Sequence, residues 1–250
     1  MEGISIVIVD DEPEIGFFMK IKLMSEAPHF NIVVKDCGRE CLDYLKENEA
    51  DCILSDYQMP DMDGMKLLHE LKNIGCGIPF IFVTGQGNEQ LAREAFKNGA
   101  YDYFTKEIGF AHFARIINSV EQAVSHRQAI DERKKLEDEL LPVKEAVESL
   151  PIGITISDLA GRIIYTNPAE ARMHGYSVDE LIGLDANVLA PSDMSKPRSF
   201  DQIYNSGAWK RTATNVRKNG GLFPVVLTSI AVKDKAGTPI GIITACEAGE

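Results

Sequence analysis

The stretch Ile6–Glu14, IVIVDDEPE, decides how the first half of the chain folds. Its first four residues are apolar and β-branched, which is typical of a strand that is buried on both faces. Four acids follow, interrupted only by Pro13. Two carboxylates about 4 Å apart repel each other by about 4 kcal/mol at an effective dielectric near 20. A strand that ends in Asp10 and Asp11 therefore predicts a bound cation.

Four further apolar runs alternate with helical patterns along the first half of the chain. The predicted strands are Ile4–Val9, Ile32–Val34, Cys52–Leu54, Phe80–Val83 and Tyr101–Phe104. The predicted helices are Glu14–Ser25, Arg39–Glu47, Met65–Ile74, Glu89–Asn98 and a last one from Phe110 onward. Five β-α units of this length predict an α/β doubly wound, flavodoxin-like fold, in which helices cover both faces of a five-stranded parallel sheet.

Polar side chains stand where four of these strands end. They are Asp10 and Asp11 after the first strand, Asp56 after the third, Thr84 at the end of the fourth and Lys106 after the fifth. Because the carboxyl ends of parallel strands lie at one edge of a sheet, we expect these groups to converge where such folds bind ligands. A solvated loop explains any one of these residues, but not the whole set.

These motifs make residues 1–125 resemble the receiver domain of bacterial response regulators. The matching residues are VDDE at 9–12, Asp56 in D-x-x-M-P-D-M-D-G, Thr84, and Lys106 three residues after Tyr103. The resemblance implies that Asp56 accepts a phosphoryl group from the phosphohistidine of a sensor histidine kinase. In phosphoryl transfer a protein mostly positions groups and offsets the charge of the phosphoryl oxygens, and this pocket offers groups suited to both tasks.

The resemblance also assigns the other groups of the pocket. It implies a Mg²⁺ ion, which prefers hard oxygen ligands, bound by Asp10, Asp11, Asp56 and the backbone carbonyl of Gln58. Thr84 would bond a phosphoryl oxygen, Lys106 would pair with its charge, and Tyr103 would turn inward as the switch. The face formed by the fourth helix, the fifth strand and the fifth helix would then change shape.

Three positions bear on how closely the pocket follows the family. Glu107 follows Lys106, where receivers usually have a proline after a cis peptide bond. A cis bond without proline costs about 2.5–4 kcal/mol, so we expect a trans bond and a slightly displaced Lys106. Gln58 and Gln86 occupy positions that tune the lifetime of the phosphorylated state in this family, and the sequence does not predict that lifetime.

A helical pattern continues to about Leu150, and we predict a helical linker over residues 126–149. Its apolar residues follow a heptad seam of about two heptads, formed by Leu136, Leu140, Val143, Val147 and Leu150. This seam fits a short coiled-coil dimer and equally a monomeric helix that packs on its own domain. Pro142 is expected to kink or interrupt the helix, because proline lacks a backbone donor.

Residues 150–250 follow a different pattern and resemble a PAS domain. The motifs that carry the resemblance are D-x-x-G-R-I-I-Y-x-N-P-A, G-Y-S-x-x-E-L-I-G and R-K-N-G-G. Two strand-like runs precede helical fragments near Ala169–Met173 and Val178–Leu181, and three more strand-like runs follow. The pattern predicts a small α+β domain with an antiparallel sheet, in which Asn167 and Asp179 cap helices or turns.

The PAS-like half carries no clear cofactor motif. His174 falls on a helix where some relatives bind haem, but a lone histidine beside Met173 and Tyr176 indicates packing. The cysteine motif of flavin-adduct light sensors is missing, because Cys246 lies in the last strand, and Trp209 is expected to pack rather than to stack on a flavin. We therefore expect neither haem nor flavin, and the PAS ligand stays unassigned.

Composition argues against several classes of function. The net charge is −12 and no segment is strongly basic, so direct binding to nucleic acid is not expected. The sequence has no run of about 18 apolar residues that would span a membrane, and no basic region typical of a secretion signal. The five cysteines form no C-x-x-C pair. These features predict a cytoplasmic protein whose cysteines are buried hydrophobic residues.

The sequence therefore predicts a signalling protein without a separate catalytic domain. Flavodoxin-like enzymes would need a Ser-, Thr- and Gly-rich phosphate loop where this chain has DDEPE, and haloacid-dehalogenase-like enzymes would need D-x-D there. We predict that the receiver passes a phosphorylation signal through the helix to a PAS sensor or interaction module, with a homodimer formed through the receiver face or the linker helix. The alternative is the N-terminal input half of a longer hybrid sensor kinase or cyclic-dinucleotide enzyme.

Overall fold

The computed structural model describes residues 3–85, 89–106, 113–191 and 207–249. Contacts divide the chain into two units between Lys135 and Leu136. The domain boundaries drawn at residues 125 and 150 from the sequence remain predictions. Within the described ranges, no helix has an apolar stretch long enough to cross a membrane.

The first unit alternates strands and helices. Its strands are β1 (Ile4–Val9), β2 (Phe30–Lys35), β3 (Cys52–Ser55), β4 (Phe80–Thr84) and β5 (Asp102–Thr105). Its helices are α1 (Pro13–Glu26), α2 (Gly38–Tyr44), α3 (Gly64–Asn73), α4 (Glu89–Lys97) and α5 (Phe113–Ser149), which continues into the second unit. The strands are parallel in the order β2-β1-β3-β4-β5, which confirms the predicted doubly wound sheet.

Both faces of this sheet are buried, as the continuous apolar strands predict. Successive side chains of a strand point to opposite faces, so Ile6 and Ile8 of β1 pack in one core and Val7 and Val9 in the other. Side chains of α1 and α5 fill the first core, and those of α2, α3 and α4 fill the second. Packing on two sides fixes β1 in the sheet, and with it the position of the acids that follow.

Helix α5 is longer than an ordinary globular helix. Its buried residues Ile116, Val120 and Val124 belong to the first core of the parallel sheet. Pro142 lies inside the helix, which continues through it to Ser149, so the predicted interruption is wrong and the predicted kink stays a prediction. Proline removes a single backbone donor, and the hydrogen bonds of the other turns are sufficient to keep the helix formed. The predicted start of this helix at Phe110 lies outside the described residues.

The second unit is built on an antiparallel sheet. Its elements are β6 (Gly153–Ser157), β7 (Ile163–Thr166), α6 (Pro168–His174), α7 (Val178–Leu181), a 3₁₀ helix (Ala186–Leu189), β8 (Ala208–Val216), β9 (Leu222–Lys233) and β10 (Pro239–Ala248). The strand order is β7-β6-β10-β9-β8. The predicted α+β arrangement with an antiparallel sheet is confirmed.

Two side chains cap the two short α-helices of this unit, and one of them differs from the prediction. Asn167 caps α6, where its side chain accepts a hydrogen bond from the backbone of Glu170 at 3.0 Å. Ser177 caps α7 in a reciprocal capping box with Glu180. Asp179 lies inside α7, so its predicted role as a cap is wrong. The extended backbone of Ser177 already places a hydroxyl against the free N–H groups of the first turn.

Candidate functional site

The carboxyl edge of the parallel sheet gathers buried polar side chains in the first unit. Asp10, Asp56, Thr84 and Lys106 are 1%, 7%, 1% and 6% exposed. The backbone N–H of Asp56 donates to the carbonyl of Val9 at 2.8 Å, which ties the end of β3 to the end of β1. Asp56 follows β3 and Lys106 follows β5. Strand β4 lies between these two strands, and Thr84 is its last residue.

Lys106 joins two of the aspartates. Its Nζ lies 2.7 Å from Oδ2 of Asp56 and 2.9 Å from Oδ2 of Asp10. Burial by itself lowers the pKa of Lys106, but the hydrogen bonds and charges of Asp56 and Asp10 outweigh it and raise the pKa above its usual value. The ammonium therefore stays charged in the pocket at neutral pH.

The second carboxylate oxygen of Asp56 is held by the backbone. Its Oδ1 accepts hydrogen bonds from the N–H of Tyr57 at 2.6 Å and the N–H of Gln58 at 3.3 Å. The loop after β3 thus fixes one oxygen, and Lys106 fixes the other. The carboxylate is oriented from both sides, in a pocket that shields it from most of the solvent.

Asp10, Asp11 and Asp56 form a cluster that suits a divalent cation. One carboxylate oxygen from each lies within 4.8 Å of the others. Oxygen ligands of an octahedral Mg²⁺ stand about 3 Å apart when adjacent and about 4 Å apart when opposite, so the three carboxylates need only small movements to bind that ion. Burial raises the pKa of Asp10 more than the nearby ammonium of Lys106 lowers it. A bound cation would favour the ionised form of the Asp10 carboxyl group. The ligand role of the Gln58 backbone carbonyl stays a prediction.

The remaining predicted residues of the pocket have different environments. The ring of Tyr103 lies 6.4 Å from that of Phe82, and its hydroxyl is buried with no hydrogen-bond partner among the described residues. Burial raises the pKa of this hydroxyl. The predicted movement of Tyr103 as a switch stays a prediction. Gln86 and Glu107 lie outside the described residues, and so does the peptide bond between Lys106 and Glu107.

Gly64 supports the pocket, although the sequence analysis gave it no role. A Cβ atom at this position would lie 2.3 Å from the carbonyl oxygen of Asp56 and 2.8 Å from Cε1 of Phe82. Its N–H donates to the carbonyl of Tyr57 at 2.9 Å. Any side chain here would push on the loop that positions Asp56. The signal was present in the sequence, since Gly64 is the last residue of D-x-x-M-P-D-M-D-G.

The residues weighed for a cofactor lie in the second unit. His174 is fully buried at the end of α6, and Cys246 is buried in β10. Trp209 lies in β8, where the guanidinium of Arg211 stacks 3.8 Å from the centre of its ring. These residues and the aspartate pocket belong to different units of the chain.

Comparisons with known proteins identify both halves of the chain. The family model of the response regulator receiver domain matches residues 6–118, and that of the PAS domain matches residues 151–247. The transcriptional regulatory protein ZraR of Escherichia coli (strain K12) is 30% identical over 130 residues, which are 52% of this chain and 28% of ZraR. The regulatory protein LuxO of Vibrio vulnificus is 35% identical over 99 residues, which are 40% of this chain and 21% of LuxO.

A solved structure covers the same first half. The crystal structure of FixJ-N is 29% identical, covers 50% of this chain and 97% of that chain, and superposes with a TM-score of 0.46. Compared with the two curated relatives, the chain spans less than a third of the length of each.

Proposed function

We propose that Asp56 accepts a phosphoryl group from a sensor histidine kinase. The chain joins a response regulator receiver domain to a PAS domain. One observation carries this proposal: a buried carboxylate is held by Lys106 and by the backbone, beside two further aspartates that suit Mg²⁺. The receiver domain is homologous to those of response regulators such as ZraR and LuxO, which supports the same role.

The residues of the pocket account for the transfer. A carboxylate oxygen of Asp56 attacks the phosphorus, the P–N bond to the donor imidazole breaks, and its electron pair passes to the imidazole nitrogen. The N–H groups of Tyr57 and Gln58 keep the carboxylate oriented. The ammonium of Lys106, already 2.7 Å from Asp56, offsets the charge of the phosphoryl oxygens. Mg²⁺, when bound by the three aspartates, supplies the remaining positive charge.

A labelling experiment tests the acceptor. The purified chain is treated with acetyl phosphate and Mg²⁺, and the mass of the protein is measured. We expect one added phosphoryl group in the wild type, none in Asp56→Asn, and normal labelling in Asp61→Asn. Asp61 is an exposed residue of the same loop and is the matched control. Undiminished labelling of Asp56→Asn would show that another residue is the acceptor.

Helix α1 offers a surface for the donor kinase. It begins two residues after Asp11, and a kinase that brings phosphohistidine to Asp56 must cover this rim of the pocket. Phe17, Ile21 and Met24 follow one another at helical spacing and are 59%, 52% and 39% exposed. We therefore assign this apolar face to a helix of the kinase. Ile21→Ala should slow transfer from any phosphorylated kinase that labels the wild-type chain, and should leave labelling by acetyl phosphate unchanged.

The second half of α5 supports a homodimer through the linker helix. Leu136, Leu140 and Val143 of the heptad seam are 53%, 66% and 61% exposed, and a second copy of the helix would bury them. The double variant Leu140→Glu, Val143→Glu should be monomeric by light scattering. Leu159→Glu, a change at a turn residue with a similar exposure of 57%, should leave the mass unchanged. A dimer that survives the double variant would favour the receiver face instead.

Helix α5 also gives the signal a route to the PAS domain. Ile116 and Val120 belong to the core under the receiver sheet. Near the other end of the helix, the carbonyl of Val147 accepts a hydrogen bond from Nδ2 of Asn167 at 3.1 Å. Asn167 also caps α6, so a shift or rotation of the last turn of α5 would act directly on the first turn of a PAS helix.

A further inference from the structure

The PAS unit contains a second buried group of side chains that can ligate a metal. Glu170 and His174 stand one turn apart on α6, and Cys246 lies on β10. These three residues are 3%, 0% and 1% exposed. A carboxylate oxygen, a ring nitrogen and the thiol sulfur lie within 4.8 Å of one another. We refer to them as the Glu170–His174–Cys246 cluster.

The carboxyl group of Glu170 is hydrogen-bonded by the thiol of Cys246, but it has no cationic partner among the described residues. Its Oε1 lies 3.5 Å from Nδ1 of His174, and its Oε2 has no hydrogen-bond partner among the described residues. No lysine or arginine in the described ranges forms a salt bridge with it. An ionised carboxylate buried without compensation costs several kcal/mol. A cation in the cluster would remove this cost.

His174 is oriented as a metal ligand usually is. Its Nδ1 lies 3.0 Å from the backbone carbonyl of Glu170, which can only accept, so Nδ1 carries the proton. The lone pair of Nε2 therefore points away, toward the side-chain amide of Asn215 at 2.9 Å. Metal-bound histidines commonly donate their other N–H to a carbonyl in this way, which fixes the ring.

The side-chain amide of Asn215 occupies the side of the cluster on which a cation would bind. Its Nδ2 contacts Nε2 of His174 and also lies 3.9 Å from the sulfur of Cys246. Two lone pairs from distant parts of the chain thus face one electropositive group. The thioether sulfur of Met173 lies 3.7 Å from the same thiol and adds a further soft donor.

We propose that Glu170, His174 and Cys246 form a binding site for a thiophilic divalent cation, and that Zn²⁺ is the ion that fits it best. Thiolate, imidazole and carboxylate are the three ligand types that Zn²⁺ takes in proteins. Zn–S bonds of about 2.3 Å and Zn–N bonds of about 2.0–2.1 Å place the donors roughly 3.5 Å apart, so donors that lie within 4.8 Å need to close by at most about 1.3 Å on binding. The thiol of Cys246 gives up its proton to solvent, and its sulfur then binds the metal as thiolate.

Cobalt binding tests the site on the full chain. Co²⁺ takes the same ligands as Zn²⁺, and a thiolate ligand gives it an intense near-ultraviolet charge-transfer absorption. The titration contains excess Mg²⁺, which occupies the aspartates of the receiver domain. We expect one equivalent of Co²⁺ to produce this absorption and Zn²⁺ to abolish it. Cys246→Ser should remove the absorption, and Cys52→Ser, which changes another fully buried cysteine, should keep it.

A second variant covers the case in which Cys246→Ser does not fold. Glu170→Gln keeps the size of the side chain but removes a charged ligand. Loss of an outer-shell partner lowers metal affinity about 10–100-fold, so loss of a ligand should lower it by at least about tenfold. The proposal is overturned if the folded wild type shows no thiolate absorption. It is also overturned if Cys246→Ser keeps the absorption or if Glu170→Gln binds Co²⁺ as tightly as the wild type.

Discussion

Replacement of Lys106 by methionine tests how the phosphorylation pocket is held together. The ammonium of Lys106 lies between Oδ2 of Asp10 and Oδ2 of Asp56, at 2.9 and 2.7 Å, and none of these side chains is more than 8% exposed. Lys106→Met keeps most of the volume of the side chain and removes its charge. The two buried carboxylates then repel each other with no cation between them.

The size of the effect follows from this burial. Removing one partner of a buried ion pair costs about 3–5 kcal/mol, because the other charge stays buried and uncompensated. We expect the free energy of unfolding of the receiver domain to fall by that amount in a buffer with a chelator. Mg²⁺ should restore much of the loss, since a ligand at 100 times its Kd stabilises a protein by about 2.7 kcal/mol. The variant should bind Mg²⁺ at least about tenfold more tightly than the wild type, because the competing ammonium is gone.

Urea unfolding measures both effects on the full chain. Far-ultraviolet circular dichroism follows the two domains together, and the fluorescence of Trp209, the one tryptophan of the chain, follows the PAS domain. The Trp209 transition should therefore not move. Lys66→Met is the matched control, because Lys66 is 68% exposed and lies 3.8 Å from Asp63. Such surface pairs contribute about 0–1 kcal/mol.

Two results would refute this reasoning. A loss of less than about 1 kcal/mol in Lys106→Met would place the pair in the range of surface ion pairs. An equal gain from Mg²⁺ in wild type and variant would show that Lys106 and the metal do not share the same carboxylates.

Three further outcomes are expected. Gly64→Ala should lower the free energy of unfolding by about 1–3 kcal/mol, because its Cβ atom clashes with the Asp56 carbonyl. Gly85→Ala is the control, since its Cβ atom would make only an ordinary contact at 3.7 Å. Its free energy of unfolding should differ from that of the wild type by less than about 0.5 kcal/mol in the same urea series. Asn167→Ala removes an N-cap and a buried set of backbone hydrogen bonds, so the transition seen by tryptophan fluorescence should shift by at least about 2 kcal/mol. Burial raises the pKa of Cys41 from 9.0 to about 12, so mass spectrometry should find Cys37 alkylated before Cys41 at pH 8. The stability that the protonated Cys41 thiol contributes is present in full below pH 9 and is lost as the pH rises toward 12.

The sequence alone predicted most of the first domain because its signals are local. Four apolar residues before Asp10 indicate a doubly covered strand, and such strands in β-α units lead to one parallel sheet. The topology then places every strand end at the same edge. This is why the sequence alone predicts that residues as far apart as Asp56 and Lys106 meet.

Tertiary packing decided what local signals do not carry. The sequence does not show that Lys106 bridges two aspartates, because that depends on how far a flexible side chain reaches across the pocket. It indicated Asp179 as a cap, but Ser177 has the extended backbone that the cap requires. It predicted a kink or an interruption at Pro142, and the helix continues through that residue without an interruption.

The Glu170–His174–Cys246 cluster shows the same division. The spacing of Glu170 and His174 on one turn of a helix is visible in the sequence, and it suggests a shared face. Cys246 comes to that face only because β10 pairs with β6 at the centre of the antiparallel sheet, with Cys246 opposite Gly153. At Gly153 a Cβ atom would collide with the carboxylate of Glu170, so the missing side chain leaves room for it. Helical periodicity is a property of neighbouring residues, whereas the approach of a helix to a distant strand depends on the packing of the whole domain.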